Sequence, residues 1–200
     1  MTTLANLLSI KPASATEMVK KLSSLSYLKY QKYKGFELTD KGRAVAIRVL
    51  RRHRLWESFL FRILHYSWSE IHEEAEKFEH VMSEMMENKI EHILDFINFD
   101  PHGHPIPTAE GVLPQIETQQ NLVTLSSLSR GQIAQIKQVN DTQPSFLSYL
   151  DKINLHLNNY INVKDVLEFD KSMEIEFNNQ TTFLSRQMTE NIKVIVKNKN

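Results

Sequence analysis

The sequence predicts a mainly α-helical protein with a β-rich tail. Apolar residues recur at helical spacing through most of the first hundred positions. Four prolines then interrupt the chain between positions 101 and 114, and short β-like runs separated by polar turns follow from about position 128. The predicted order is a winged helix-turn-helix, a helical domain and a small all-β barrel.

The composition is typical of a globular chain, with 41% apolar and 24% charged residues. No apolar run has the length that a membrane helix needs and no signal peptide is recognisable, so we expect a cytoplasmic protein. The sequence has no cysteine. This excludes disulfides, iron–sulfur clusters and thiolate zinc sites, so any metal must be held by oxygen and imidazole ligands.

The charges are unevenly distributed along the chain. Residues 1–65 contain 13 Lys and Arg against 4 Asp and Glu, whereas residues 66–117 contain 2 against 12. Seven of the eight histidines lie between positions 53 and 104. The chain therefore consists of a basic module followed by an acidic, histidine-rich one.

The opening segment predicts a helix-turn-helix with a β-hairpin behind it. A short helix turns three leucines inward, and a second helix starts between Pro12 and Ser14, where proline suits the first turn. Aromatic or apolar residues then alternate with charged ones around a turn at Lys34-Gly35, as in a two-stranded hairpin. The three leucines are Leu4, Leu7 and Leu8.

Three longer helices are predicted next. Thr39 or Asp40 is expected to cap a helix that runs to about residue 65, and Ser67 or Ser69 to cap the following one. A third helix covers about 84–98. Their apolar stripes are typical of a dimer interface.

A run of four side chains suggests a metal site. His72, Glu76, Glu79 and His80 have the spacing i, i+4, i+7 and i+8, which places them on one helical face, so we expect them to converge. His53 and Glu57 form a same-face pair one helix earlier, which could complete a six-coordinate site. The alternative, which spacing alone favours, is a solvated helix face.

No enzyme is expected. The segment HEEAE at 72–76 begins like the zinc metalloprotease motif, but Glu76 stands where the second zinc-binding histidine belongs.

The basic module suits double-stranded DNA, because its charges lie on the predicted second helix and hairpin. The alternative is that these residues only make the surface soluble. The candidate DNA-binding residues are Lys11, Ser14, Thr16, Lys20, Lys21, Lys32 and Lys34.

The chain contains, in this order, KPASATEMVKKL, YKGFELTDKGRAVA, RRHRLWESFL, IHEEAEKFEHVMS and DPHGHPIP. These segments resemble the diphtheria toxin repressor and manganese transport regulator family. The resemblance implies a homodimeric repressor of metal-uptake genes that binds a DNA operator with a divalent metal as corepressor. It also implies a DNA-binding domain at 1–40, a helical metal-binding and dimerisation domain at 41–110, a linker at 111–127 and an SH3-like β-barrel at 128–200.

The resemblance also implies the metal ligands. Iron-sensing members carry Cys where this chain has Glu76, and a carboxylate there favours Mn²⁺, with Fe²⁺ as the alternative. The positions that match family ligands are His53, Glu57, His72, Glu76, Glu79 and His80, to which the branch with a C-terminal domain adds Asp100, His102 and Asp141.

Family members have a further helix before the segment that opens this sequence, and that helix supplies a metal ligand. The resemblance therefore implies that the first helix is absent here. We expect weakened metal affinity at the Glu76, Glu79 and His80 site and a less stable DNA-binding module. The alternative function is a metal-binding dimer that has lost DNA binding through N-terminal shortening.

Overall fold

Two helices and a two-stranded sheet open the chain in the computed structural model, which describes residues 2–31, 34–114, 121–140 and 143–197. Helices α1 and α2 are followed by an antiparallel hairpin of strands β1 and β2, as the sequence predicts. Pro12 occupies the first turn of α2, where its missing N–H costs no hydrogen bond. The elements are α1 (Thr2–Leu7), α2 (Pro12–Ser24), β1 (Leu28–Gln31) and β2 (Gly35–Leu38).

The inward direction predicted for the first leucines is wrong for Leu7 and Leu8, which are 78% and 44% exposed, whereas Leu4 is half-buried. Ala5 is instead the buried residue of α1.

Helix α3 (Asp40–Arg62) is fixed to the end of the hairpin. The Thr39 hydroxyl caps it, accepting from Gly42 N at 3.0 Å and donating to Ser26 O at 2.7 Å. A Cβ at Gly42 would lie 2.0 Å from Tyr27 O, so only glycine permits this close approach. The segment between α2 and the hairpin and the first turn of α3 are therefore in close contact.

Helix α4 (Ile71–Glu79) starts later than predicted, and helix α5 (Glu84–Ile93) ends earlier than predicted. Neither Ser67 nor Ser69 caps α4, because Ser67 instead donates its hydroxyl to the Glu70 carboxylate. Helix α5 is capped by Ser83, and two residues with positive φ, Asp95 and Phe96, prevent its extension to 98.

A buried ion network packs α5 against α3. Arg51, 3% exposed at its side chain, contacts Glu87 at 2.9 Å and Glu91 at 2.8 Å. Arg51 also donates to Pro107 O at 2.6 Å, and Arg52 contacts Glu87 at 2.9 Å. The network holds α5 and the chain that follows it on one side of α3.

The C-terminal domain is a six-stranded antiparallel sheet with strand order β3-β8-β4-β5-β6-β7. Among the strands described, β3 and β7 are the edges, so a closed barrel is not observed. The strands are β3 (Val123–Thr124), β4 (Ile133–Val139), β5 (Tyr160–Val166), β6 (Met173–Phe177), β7 (Gln180–Leu184) and β8 (Ile192–Val196).

The prediction of an all-β tail is wrong, because helices α6 (Pro144–Lys152) and α7 (Arg186–Asn191) lie between the strands. Strand β3 pairs with β8 although it lies inside the predicted linker 111–127.

Across the segments with described structure, we find no helix with the length and apolar character of a membrane span.

Candidate metal centre

Three potential ligands meet where α3 packs against α4. His53 and Glu57 lie one turn apart on α3, and His72 extends from the first turn of α4. The His53 Nε2 atom lies 3.0 Å from Glu57 Oε1 and 3.1 Å from His72 Nδ1, and the latter two atoms are 3.3 Å apart. The packing of the two helices thus joins the predicted pair to one residue of the predicted run.

These atoms have the spacing and chemistry of a divalent-metal site. Ligand atoms around a six-coordinate cation lie about 3 Å apart, because bonds of about 2.1 Å meet near right angles. The three separations here are 3.0–3.3 Å. Imidazole nitrogen with carboxylate oxygen suits Mn²⁺, Fe²⁺, Co²⁺ or Zn²⁺. The residues therefore fit a first-row divalent cation.

His102 approaches the same carboxylate from a different part of the chain. Its Nδ1 lies 3.7 Å from Glu57 Oε1, and its ring stacks at a tilt on Trp68 with centroids 5.5 Å apart. The side chain is 2% exposed, and Nε2 has no hydrogen-bond partner among the described residues. A buried imidazole nitrogen without a hydrogen-bond partner is unusual, unless that nitrogen binds a ligand or takes up a proton.

The charged forms of this cluster are stabilised by their neighbours. Burial would raise the pKa of Glu57, but hydrogen bonds from His102, His53 and His72 outweigh it and hold that pKa far below its ordinary value. Burial would lower the pKa of His53, but the hydrogen bonds and charges of Glu57 and Glu79 raise it. The pKa of His102 is also raised, because Glu57 and Asp100 outweigh its burial.

The predicted convergence of His72, Glu76, Glu79 and His80 is wrong as a single cluster. The Glu79 carboxylate bridges two histidines: its Oε2 lies 2.7 Å from His53 Nδ1, and its Oε1 lies 3.2 Å from His80 Nε2. The side chains of Glu76 and His80 are 63% and 68% exposed, and Glu76 Oε1 lies 3.6 Å from His72 Nε2. His80 directly follows α4 with helical dihedral angles (φ −82°, ψ −22°), and its ring contacts Glu79.

Asp100 and His102 lie in the loop after α5, and Asp141 lies outside the described residues. The Asp100 carboxylate faces Arg54 and His104, at 3.5 Å and 3.3 Å from Oδ2. Neither Arg54 nor His104 was singled out from the sequence. The signal for His104 was its place in the histidine pair of the DPHGHPIP segment.

Most candidate DNA-binding residues are accessible. Thr16 is the exception, because its side chain is half-buried and its hydroxyl donates to Pro12 O at 2.8 Å. Lys32 lies outside the described residues. The exposed ones are Lys11, Ser14, Lys20, Lys21 and Lys34.

Three consecutive parts of the chain match known protein families. Residues 1–36 match "Iron dependent repressor, N-terminal DNA binding domain" and residues 39–108 match "Iron dependent repressor, metal binding and dimerisation domain". Residues 123–196 match the "FeoA domain".

Individual relatives agree with these matches. The chain is 44% identical over 98 residues to the iron-dependent repressor IdeR of Mycobacterium tuberculosis. The aligned region covers 48% of this chain and 43% of that protein. It is 35% identical over 124 residues to the diphtheria toxin repressor of Corynebacterium efficiens, covering 58% and 54%. The chain thus spans about half the length of these relatives.

The fold resembles solved structures over nearly its whole length. A structure described as a manganese-dependent transcriptional repressor in complex with manganese superposes with a TM-score of 0.86 at 30% identity. The superposition covers 97% of this chain and 89% of the other.

Proposed function

Because this chain belongs to the diphtheria toxin repressor and manganese transport regulator family, we propose that it is a metal-dependent transcriptional repressor. It binds operator DNA as a homodimer, with a divalent metal as corepressor. The observation that carries the proposal is the cluster of His53, Glu57 and His72. Two of these residues, His53 and Glu57, lie on helix α3, which directly follows the winged helix. Family members are regulators, and we assign no enzymatic activity.

We propose His53, Glu57, His72 and His102 as the principal ligands. Glu79 contacts the group through His53, and bound metal would supply the positive charge that compensates these carboxylates. Glu76, His80 and Asp141 stay predictions as ligands.

The cognate metal is proposed to be Mn²⁺, with Fe²⁺ as the alternative. Sequence relatives are named iron-dependent, and the similar structure is named manganese-dependent. The absence of cysteine and the carboxylate at Glu76 support the harder ion.

Helix α3 provides the connection between metal and DNA. His53 and Glu57 lie on the same continuous helix whose first turn contacts the hairpin through Thr39 and Gly42. A fixed angle between α3 and α4 therefore fixes the orientation of the winged helix. Ordering the site selects the arrangement in which two recognition helices fit successive half-sites.

The exposed surfaces support the proposed partners. Lys20 and Lys21 give α2 a positive face for DNA phosphates. Val81, Met85 and Ile93 are 76%, 77% and 54% exposed around α4 and α5, and an apolar surface of this kind suits a second copy of the chain. We place the repressor in the cytoplasm with its operators, and we propose an SH3-like arrangement for the C-terminal domain.

The test is metal-dependent DNA binding. Duplexes that bind the protein are selected from a random library at a buffered concentration of free Mn²⁺. Their affinity for the protein is then measured by fluorescence polarisation, with Mn²⁺ or with a chelator. We expect Mn²⁺ to strengthen binding at least about tenfold, and Glu57→Gln to remove that gain. Glu168→Gln, an exposed carboxylate in the C-terminal domain, is the matched control.

Equal DNA affinity with Mn²⁺ and with chelator would contradict the proposal. Binding of Mn²⁺ without any DNA binding would instead favour the metal-binding dimer.

A further inference from the structure

Residues Phe99–Pro105 form a closed loop, here called the His102 loop, between α5 and the C-terminal domain. Phe99 and Pro105 pair as an antiparallel bridge at its base. Within it, Asp100 N donates to His104 O at 2.9 Å and Gly103 N donates to Asp100 O at 3.1 Å. The backbone of this loop is therefore internally hydrogen-bonded.

The Asp100 carboxylate lies inside the loop. Its Oδ1 accepts from the backbone N–H of His102 at 2.8 Å and of His104 at 2.9 Å. The side chain is 1% exposed. An oxygen has two lone pairs, so these two donors occupy the acceptor capacity of Oδ1.

Arg54 holds the loop from outside at two points. Its Nε lies 3.5 Å from Asp100 Oδ2, and its guanidinium donates to the carbonyl of Pro105. His104 Nδ1 lies 3.3 Å from the same Oδ2. A metal cation on this oxygen would stand beside the Arg54 charge, and repulsion between like charges disfavours that arrangement.

The same loop carries His102 to the metal centre. The His102 carbonyl accepts from Val139 N of β4 at 2.9 Å, and Trp68 Nε1 donates to Pro101 O at 2.9 Å. These contacts set the loop between the sheet and the helices, with the His102 ring beside Glu57. The position of His102 thus depends on the shape of the loop.

We propose that Asp100 is a positioning residue rather than a metal ligand: with Arg54 it builds the loop that holds His102 against Glu57. The family resemblance places Asp100 among the ligands, and the contacts of its carboxylate point to this different role. The inference rests on the proposed function, since it concerns how one proposed ligand is presented.

The test compares Asp100→Asn with Asp100→Ala in the full chain. Asparagine keeps an oxygen for the two N–H donors but loses the charge that a metal ligand supplies, whereas alanine loses both. The matched control is Asp170→Asn, because Asp170 likewise accepts from a backbone N–H, that of Ser172 at 3.0 Å, in an exposed turn. Mn²⁺ affinity is measured by calorimetry, and amide hydrogen exchange of His102 and His104 is measured without metal.

We expect Asp100→Asn to bind Mn²⁺ within about threefold of the unaltered chain and Asp100→Ala to bind at least about tenfold more weakly. Amide protection at His102 and His104 should persist in the asparagine variant and fall in the alanine variant. Rescue by asparagine in both measurements separates positioning from ligation.

A tenfold or greater loss of Mn²⁺ affinity in Asp100→Asn, with amide protection intact, would overturn the inference and make Asp100 a ligand. Unchanged protection in Asp100→Ala would also overturn it. If the unaltered chain binds no Mn²⁺, the proposed function fails, and the exchange measurement still decides whether Asp100 shapes the loop.

Discussion

Glu57 is the residue on which the proposed metal centre depends. Its carboxylate receives His53, His72 and His102, and its side chain is 3% exposed. Without metal, a buried carboxylate of this kind is stable only because the imidazoles share protons with it. Protons and a divalent cation therefore compete for the same ligand atoms.

This competition predicts how the stability of the metal-stripped protein depends on pH. The pKa values of His53 and His102 are raised from 6.5, chiefly by Glu57 acting against burial. A raised histidine pKa adds stability that is fully present below the unfolded pKa and is lost as pH rises through the folded pKa. We expect the free energy of unfolding in urea to fall as pH rises above 6.5.

The dependence should be smaller in His53→Gln and unchanged in His65→Gln, an exposed residue after α3. A free energy of unfolding that rises over this pH interval, or an unaltered slope in His53→Gln, would show that these imidazoles are neutral in the metal-free protein.

At the scale of elements, the His102 loop and strand β4 are in close contact. Gly103 has φ +85°, and a Cβ there would lie 2.0 Å from Lys137 O. Gly131 has nearly the same φ, +84°, with nothing within 4 Å of its Cβ position. Comparing the same substitution at the two glycines therefore distinguishes the cost of backbone strain from the cost of steric contact between the loop and the sheet.

We expect Gly131→Ala to cost about 1 kcal/mol, the strain of a left-handed alanine. Gly103→Ala should cost at least about 2 kcal/mol more, because the loop must also move away from β4. It should weaken Mn²⁺ binding as well, whereas Gly131→Ala should not. Urea denaturation and calorimetric Mn²⁺ titration measure both effects, and equal costs for the two variants would mean that the contact yields without strain.

At the scale of the whole molecule, apolar side chains are exposed around the α4–α5 turn and on the C-terminal domain. Val81 and Met85 are 76% and 77% exposed and Ile93 is 54% exposed, whereas Phe169 is fully exposed in the turn before β6 and Phe183 is 52% exposed. Exposed apolar side chains of this kind favour association. Because the helical residues lie in the part of the chain that matches a metal binding and dimerisation domain, we expect the helical surface to form the dimer.

Met85→Glu should shift the dimer toward monomer by at least about tenfold in dissociation constant, because two carboxylates would be buried across the two-fold axis. Phe169→Asp should leave the dimer intact. Sedimentation velocity over a concentration series measures both. A monomeric Phe169→Asp variant, or a Met85→Glu variant that dimerises normally, would move the interface to the C-terminal domain.

The sequence alone determined the order of elements in the N-terminal half and the types of candidate ligand. Proline at position 12, Thr39 as a cap and the helical period of α3 act locally, so the winged helix and the long helix could be predicted from neighbours in the chain. The lack of cysteine likewise restricted the site to oxygen and nitrogen donors before any contact was known.

Only the tertiary structure decided which of these ligands meet. His72 joins His53 and Glu57 because α4 packs on α3, whereas His80, one residue past the end of α4, contacts Glu79 and is mostly exposed. The Asp100 carboxylate accepts local hydrogen bonds within its own loop, but its contact with Arg54 joins residues far apart in the chain. Spacing determines the face of one helix, but convergence depends on packing between elements, which no local pattern records.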